Sequence, residues 1–217
     1  MNAKEIIARR VALELENGNV VNLGIGLPTL VVNYLPAGVG VTLQSENGFV
    51  GLGSLSGNID PNLANAGGQP CGLIPGAAMF DSATSFMLIR GGHVDVTVLG
   101  GLEVDQAGNL ANWMVPGKMV PGMGGAMDLV TGAKKVIIAM EHCAKDGSAK
   151  LLQECRLPLT GKGVVDLIVT ELGVFRVSGD SLVLEEIAAG IDIEFVKART
   201  EATLTISPDL KPMQNIS

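Results

Sequence analysis

Between residues 20 and 140 the chain alternates short apolar runs with helix-forming stretches, and each run stops at glycine or a polar cluster. That order leaves few folds open. Strands joined through helices form a largely parallel sheet, buried on both faces because the crossovers lay helices on either side. Ligands of such sheets sit in crevices beyond the carboxyl ends of the strands. The residues that end each run are therefore the ones to weigh. Residues 20–23 end at Gly24-Ile25-Gly26-Leu27-Pro28, followed by a helix that Pro28 and Thr29 can start and Pro36 stops. Residues 39–43 end at Gln44-Ser45-Glu46-Asn47-Gly48, where glycine permits a sharp turn with φ > 0. Residues 73–74 end at Pro75-Gly76, residues 94–99 at Gly100-Gly101, and residues 136–140 at Glu141-His142-Cys143.

The intervening stretches read as helices or turns. Ile7, Val11 and Leu15 share one face of a helix over 4–17, with Gly18 placed to cap it. Asp81 or Ser82 can cap a helix that runs to Arg90 and stops at Gly91-Gly92. Residues 110–115 read as a strand with Trp113 in the core, and residues 150–155 as another strand. Beyond these the chain is β-rich at 167–170 and 173–177, then turns at Gly179-Asp180 into 182–184 as a hairpin. A helix over 193–199, a last strand over 203–206 and a polar tail from Pro208 complete it. There is no repeat or linker, so residues 1–217 read as one domain: α/β, three layers, a largely parallel open sheet with an antiparallel extension.

Composition narrows function. Charged residues are 17% of the chain, against about 25% in an ordinary domain, which leaves too little polar cover for a free monomer and predicts buried subunit interfaces. A net charge of −7 argues against nucleic acid. It still allows an anionic ligand at a glycine-rich helix N-terminus. No apolar run approaches the ~18 residues that span a bilayer. The first residues carry charge where a signal peptide would be apolar, so the cytoplasm is the expected location. Cys71, Cys143 and Cys155 lack CxxC spacing and read as free thiols, and His93 and His142 form no zinc or triad pattern.

Four features carry candidate chemistry, each with a plain alternative. Glu46 stands where a sheet shows groups to a ligand, yet by residue type it is one of 22 acids, most of which belong on the surface. Gly24 and Gly26 resemble a nucleotide-binding turn without its third glycine; a tight βα connection is the favoured alternative to direct phosphate contact. Residues 116–125 hold two prolines and four glycines, too many for a regular element, and precede a short helix. The N–H groups of Gly124, Gly125 and Ala126 could face a ligand there, or the segment could only pack. His142 could be catalytic, or a capping or core-edge histidine. Residues 54–70 read as a rim or flap over the site.

Taken together, Val-Asn-Leu-Gly-Ile-Gly-Leu-Pro28, Gln-Ser-Glu-Asn-Gly48, Ile-Arg-Gly-Gly-His93, Leu-Ala-Asn-Trp113, Pro-Gly-Lys118 and Gly-Met-Gly-Gly-Ala-Met-Asp128 resemble the β subunit of the two-subunit acyl-CoA:carboxylate CoA-transferases of the acetate/acetoacetate/butyrate type. The resemblance covers nearly the whole chain. It implies the fold shared by CoA-transferases and sugar-phosphate isomerases, and transfer of CoA from a short-chain acyl-CoA to a free carboxylate through a glutamyl-CoA thioester. It implies Glu46 as the nucleophile and the Gly125 N–H as an oxyanion donor. Gly24, Gly26, Asn47, Gly48 and Gly124 are then expected around the substrate, with Asn47 and nearby amides hydrogen-bonded to Glu46. CoA is a substrate and no bound cofactor is implied. An α subunit in an α2β2 assembly is the implied partner, although the isolated chain could form a homo-oligomer. Rival readings are a 3-oxoadipate or succinyl-CoA:3-oxoacid CoA-transferase subunit, with Arg90 as the cation for a dicarboxylate; a sugar-phosphate isomerase-like enzyme with Glu46 or Asp128 as base; and a non-catalytic scaffold subunit.

Overall fold

The computed structural model describes residues 1–55, 60–117 and 122–214; Lys118, part of the flap and the last three residues of the tail lie outside the described residues. The chain runs through α1 (Ala3–Ala12), β1 (Val20–Leu23), a 3-10 helix (Leu27–Tyr34), β2 (Thr42–Ser45), β3 (Phe49–Gly53) and β4 (Gly72–Met79). Next come α2 (Ser82–Arg90), β5 (Val96–Leu99), β6 (Glu103–Asp105), β7 (Leu110–Ala111), α3 (Ala126–Gly132), β8 (Lys135–Ala139) and β9 (Leu151–Leu152). It closes with β10 (Leu167–Val169), β11 (Gly173–Ser178), β12 (Ser181–Ile187), α4 (Ile193–Lys197) and β13 (Leu204–Pro212).

Ten strands form one sheet in the order β13-β12-β11-β10-β8-β5-β1-β2-β3-β4. The middle five, β10 to β2, are parallel. Antiparallel pairs extend the sheet on both sides, β3 and β4 at one end and β11 and β12 at the other, and β13 returns parallel to β12. Side chains alternate across the strands. Val96, Val98, Ile137, Ala139, Leu167 and Val169 pack with Ile7 and Val11 of α1 and Val31 of the 3-10 helix. Val136, Ile138 and Ile168 face the other way, toward Ile89 of α2 and Leu129 and Val130 of α3. The small sheet β7-β6-β9 joins that second core through Val104, Leu110 and Leu151. No helix among the described residues is long and apolar enough to cross a membrane.

The three-layer parallel reading holds, with local corrections. The first helix ends at Ala12 rather than residue 17; it is fixed at its start by a capping box between Asn2 and Glu5, and Gly18 (φ 88°) instead makes a turn whose N–H reaches Gly40 O. The segment after Pro28 is 3-10, because Thr29 closes back onto Gly26 O through both its N–H and its hydroxyl. β3 was unexpected, since Gly51 and Gly53 hide it; a Cβ on Gly51 would stand 2.7 Å from Ala77 Cβ, so the bare backbone is what lets β4 approach. β4 runs through Pro75 instead of ending there, which an edge strand tolerates because one row of its N–H groups has no partner strand. The strands expected over 110–115 and 150–155 shrink to two residues each. Trp113 lies past the end of β7, half-buried, its indole N–H donating to Leu159 O at 3.3 Å. The expected tail from Pro208 is mostly strand: β13 reaches Pro212 across a register shift opposite Leu184 and Glu186, and Met213 is buried.

Candidate active site

A cleft of about 680 Å³ opens beyond the carboxyl ends of β1, β2 and β5. That size suits a small-molecule site. Glu46 enters it from the turn between β2 and β3. Ser45 pairs with Phe49 across this turn, and Gly48 N–H donates to Ser45 O at 3.1 Å. Gly48 has φ 134°, and a Cβ there would stand 2.2 Å from Phe80 O. Only glycine permits this turn, and the turn sends Glu46 into the cleft.

The half-buried Glu46 is held from β1. Asn22 Nδ2 donates to Glu46 Oε2 at 3.1 Å and to Gln44 Oε1 at 2.7 Å. Gln44 Nε2 in turn donates to Ser85 Oγ on α2 at 2.9 Å. Asn22, Gln44 and Ser85 are all buried, so this chain of amides has one satisfied direction: Ser85 takes the Gln44 N–H, which leaves Gln44 Oε1 for Asn22. Asn22 Oδ1 is buried with no partner. Among the described residues lining the cleft, Glu46 is the sole charged side chain.

Gly125 faces Glu46 directly. A Cβ on Gly125 would lie 3.1 Å from Glu46 Cγ and 3.3 Å from the Phe86 ring, so the carboxylate stem packs on bare backbone at the start of α3. Gly124 (φ 53°) also lines the cleft, as does Gly24, whose Cβ would stand 3.1 Å from Leu99 Cδ2. Asn112 makes part of the wall, anchored by its Nδ2 to Gly100 O at 3.2 Å, and Trp113 adds another part.

Of the residues singled out in the sequence, Glu46, Gly125, Gly124 and Gly24 come together here. Gly26, Asn47 and Gly48 lie beside the lining rather than in it. Gly26 sits exposed before the 3-10 helix. Gly48 packs under Phe80. Asn47 gives an Nδ2–H to Ala64 O at 2.7 Å and accepts the Ser45 hydroxyl at 2.7 Å, rather than bonding Glu46 as anticipated. Asn22 does so instead. Sequence reading passed over Asn22, yet a lone amide inside the apolar run Val20–Leu23 was the available signal, because a buried amide needs a partner.

The remaining candidates lie outside the cleft. Arg90 is exposed and paired with Asp128 at 2.6 Å, and neither lines the cleft, so the cation expected for a dicarboxylate lies outside it and, of the two rival bases, only Glu46 lies within it. His142 is a core histidine. It is wholly buried, with Nδ1 3.1 Å from Thr170 Oγ1, Nε2 3.0 Å from Thr200 Oγ1 and its ring against Phe175. Burial, helped by the positive charge of Arg199 and Lys150, pushes its pKa down to about 4. Among the described residues no group of three His, Cys, Asp or Glu is placed to hold a metal ion.

The chain matches the coenzyme A transferase family over residues 4–199. It is 66% identical over 210 residues to the beta chain of the acetate CoA-transferase of Escherichia coli, covering 97% of each chain. It is 53% identical over 205 residues to one of the subunits of the succinyl-CoA:3-ketoacid coenzyme A transferase of Helicobacter pylori, covering 94% of this chain and 99% of that one. Among solved structures, an acyl-CoA transferase apoenzyme from Escherichia coli superposes with a TM-score of 0.81 at 27% identity, over 99% of this chain and 44% of that one. This chain thus spans under half the length of that solved enzyme. A family match over nearly every residue, full-length relatives at high identity and a shared fold converge, and the chain belongs to the coenzyme A transferase family.

Proposed function

We propose that this chain is the β subunit of a cytoplasmic enzyme that moves CoA between a short-chain acyl-CoA and a free carboxylate, with Glu46 as nucleophile. The observation that carries the reading is a single carboxylate at the end of β2, bound by the buried Asn22 amide and packed against Gly125 in a lining whose other described residues are uncharged. Glu46 attacks the acyl carbonyl and expels CoA thiolate, giving a mixed anhydride. The thiolate then attacks the glutamyl carbonyl and releases the first carboxylate, leaving a glutamyl-CoA thioester. The acceptor acid reverses these steps. This is covalent catalysis with ping-pong kinetics.

The residues suit each demand of that route. The nucleophile must be ionised, and an ionised carboxylate in a partly dry cleft needs a hydrogen-bond donor; Asn22 provides one. Each tetrahedral intermediate carries an oxyanion, for which one backbone donor is worth about 3–4 kcal/mol. Gly125 packs against the Glu46 side chain, where a Cβ would lie 3.1 Å from Glu46 Cγ, and it offers no side chain to block approach. Water must be excluded, because both the anhydride and the thioester hydrolyse. An α subunit completes the CoA pocket, in an α2β2 assembly.

The acids served are short monocarboxylates such as acetate or acetoacetate. The relative in Helicobacter pylori is named for succinyl-CoA, but a second carboxylate needs a cation, and the described lining of this chain has none. The test is borohydride reduction after acyl-CoA is added to the complex with its α subunit. A trapped thioester converts Glu46 to an alcohol of lower mass, found in the peptide containing Glu46. Glu46→Gln should abolish both the adduct and exchange while leaving the melting temperature within about 2 °C, the change being nearly isosteric. Full exchange activity in Glu46→Ala would make the chain a scaffold instead.

A further inference from the structure

Asn65, Ala66 and Gln69 bring a loop to the cleft lining. The loop is braced from within: Asn65 Oδ1 accepts the N–H of Gly67 at 2.9 Å and of Gln69 at 3.0 Å, and Asn65 N–H donates to Gln69 O at 2.9 Å. Gly67 packs on the Ile25 side chain, and the loop's hydrogen bonds to the rest of the site run through the two side chains that flank Glu46. Ser45 Oγ accepts the Ala66 N–H at 3.0 Å and donates to Asn47 Oδ1 at 2.7 Å, while Asn47 Nδ2 donates to Ala64 O at 2.7 Å. Both neighbours of the nucleophile therefore spend their side-chain polar atoms on this strap, and neither on Glu46.

We infer that Ser45 and Asn47 are positioning residues that clamp this loop over the glutamyl-CoA thioester, and so make the enzyme accept a carboxylate rather than water. The inference rests on the CoA-transfer reading above. When water attacks the thioester carbonyl, a C–O bond forms and the C–S bond breaks. Glu46 returns as a carboxylate, and CoA thiol and a proton are released, so the net reaction is acyl-CoA hydrolysis. A carboxylate acceptor must dock in the cleft in any case; water needs only a gap. Asn47 and its bond to Ala64 are exposed, and a loop held by a few hydrogen bonds opens locally without global unfolding. The strap sets how often that gap occurs.

The experiment uses the complex with its α subunit and acetyl-CoA. Without an acceptor acid, free thiol reports hydrolysis alone; with acetoacetate, exchange reports transfer. Asn47→Asp keeps the acceptor for Ser45 but turns an oxygen toward Ala64 O. Ser45→Ala removes the acceptor for Ala66 and adds no charge, testing the strap from its other end. The ratio of hydrolysis to transfer should rise about tenfold in either variant, the scale of one lost hydrogen bond. Hydrogen exchange should quicken over residues 62–70 while the melting temperature holds. An unchanged ratio in both variants overturns the strap, even if overall activity falls. If the wild-type complex gives no trappable Glu46 adduct, the CoA-transfer reading itself fails and takes the strap with it. An adduct whose hydrolysis the variants leave alone defeats the strap only.

Discussion

Asn22 and Gly125 bear on Glu46 in different ways, and two substitutions separate them. Asn22→Ala removes the one side-chain donor to the carboxylate among the described residues and strands Gln44 Oε1 in a buried place. A hydrogen bond to a charged group is worth about 1.5–3 kcal/mol, and an orphaned buried acceptor costs about 1–3 kcal/mol. Asn22→Ala should therefore lower both adduct formation, by roughly ten- to a hundredfold, and stability in urea. Gly125→Ala should split those readouts. Its φ of −85° accepts alanine without backbone strain, while the added methyl would meet Glu46 Cγ at 3.1 Å and the Phe86 ring at 3.3 Å. Turnover should drop by about a hundredfold, as misplacement of a reacting group by a fraction of an ångström to one ångström does, with little change in melting temperature. Unchanged turnover would remove Gly125 from the reacting centre.

The turn between β2 and β3 is the element that aims the nucleophile, and its fixed point is Gly48. Gly48→Ala puts a methyl 2.2 Å from Phe80 O at φ 134°, and nothing nearby can yield but backbone. The variant should lose about 2–4 kcal/mol in chemical denaturation and exchange activity with it. An unaffected denaturation midpoint would mean that the turn has slack. This element also marks the line between what sequence made legible and what it did not. The run before Glu46, the glycine after it and the parallel run of β1, β2, β5 and β8 follow from local pattern, whereas β10 joins them in parallel although the later strands read as an antiparallel extension. So does α2, with Asp81 capping it as anticipated. β3 and the length of β4 do not, because Gly51 and Pro75 are breakers by local rules and are tolerated only where two particular strands meet at an edge. Asn22 and the Asn47 strap escaped for a related reason. Which acceptor an amide finds depends on strands distant in sequence, and Asn47 found Ala64 instead of the adjacent Glu46.

At the scale of the whole molecule, His142 ties three segments of the second core together: the end of β8, the end of β10 through Thr170, and the end of α4 through Thr200. Its backbone N–H also donates to Glu171 at 2.9 Å. The imidazole is held neutral, its pKa lowered from 6.5 to about 4 by burial and by Arg199 and Lys150. The linkage follows from that direction. Between the two values the unfolded chain binds a proton that the folded chain does not, so stability is complete above about pH 6.5 and is lost progressively as pH falls toward 4. A shift of that size corresponds to at most about 3 kcal/mol. Depressed carboxylates such as Glu14, held by Lys135 and Arg10 against the opposing effect of burial, lose their contribution only at lower pH, once pH falls below the usual value of 4.5. The two contributions separate in His142→Gln, which can still bond one threonine. That variant should be less stable at pH 7.5 but should show a flat stability curve between pH 6.5 and 5, where the wild type slopes. Urea denaturation across that range is the measurement. Parallel curves for the two proteins would show that the histidine is protonated as readily in the fold as outside it. The acid sensitivity of the second core would then lie with its carboxylates.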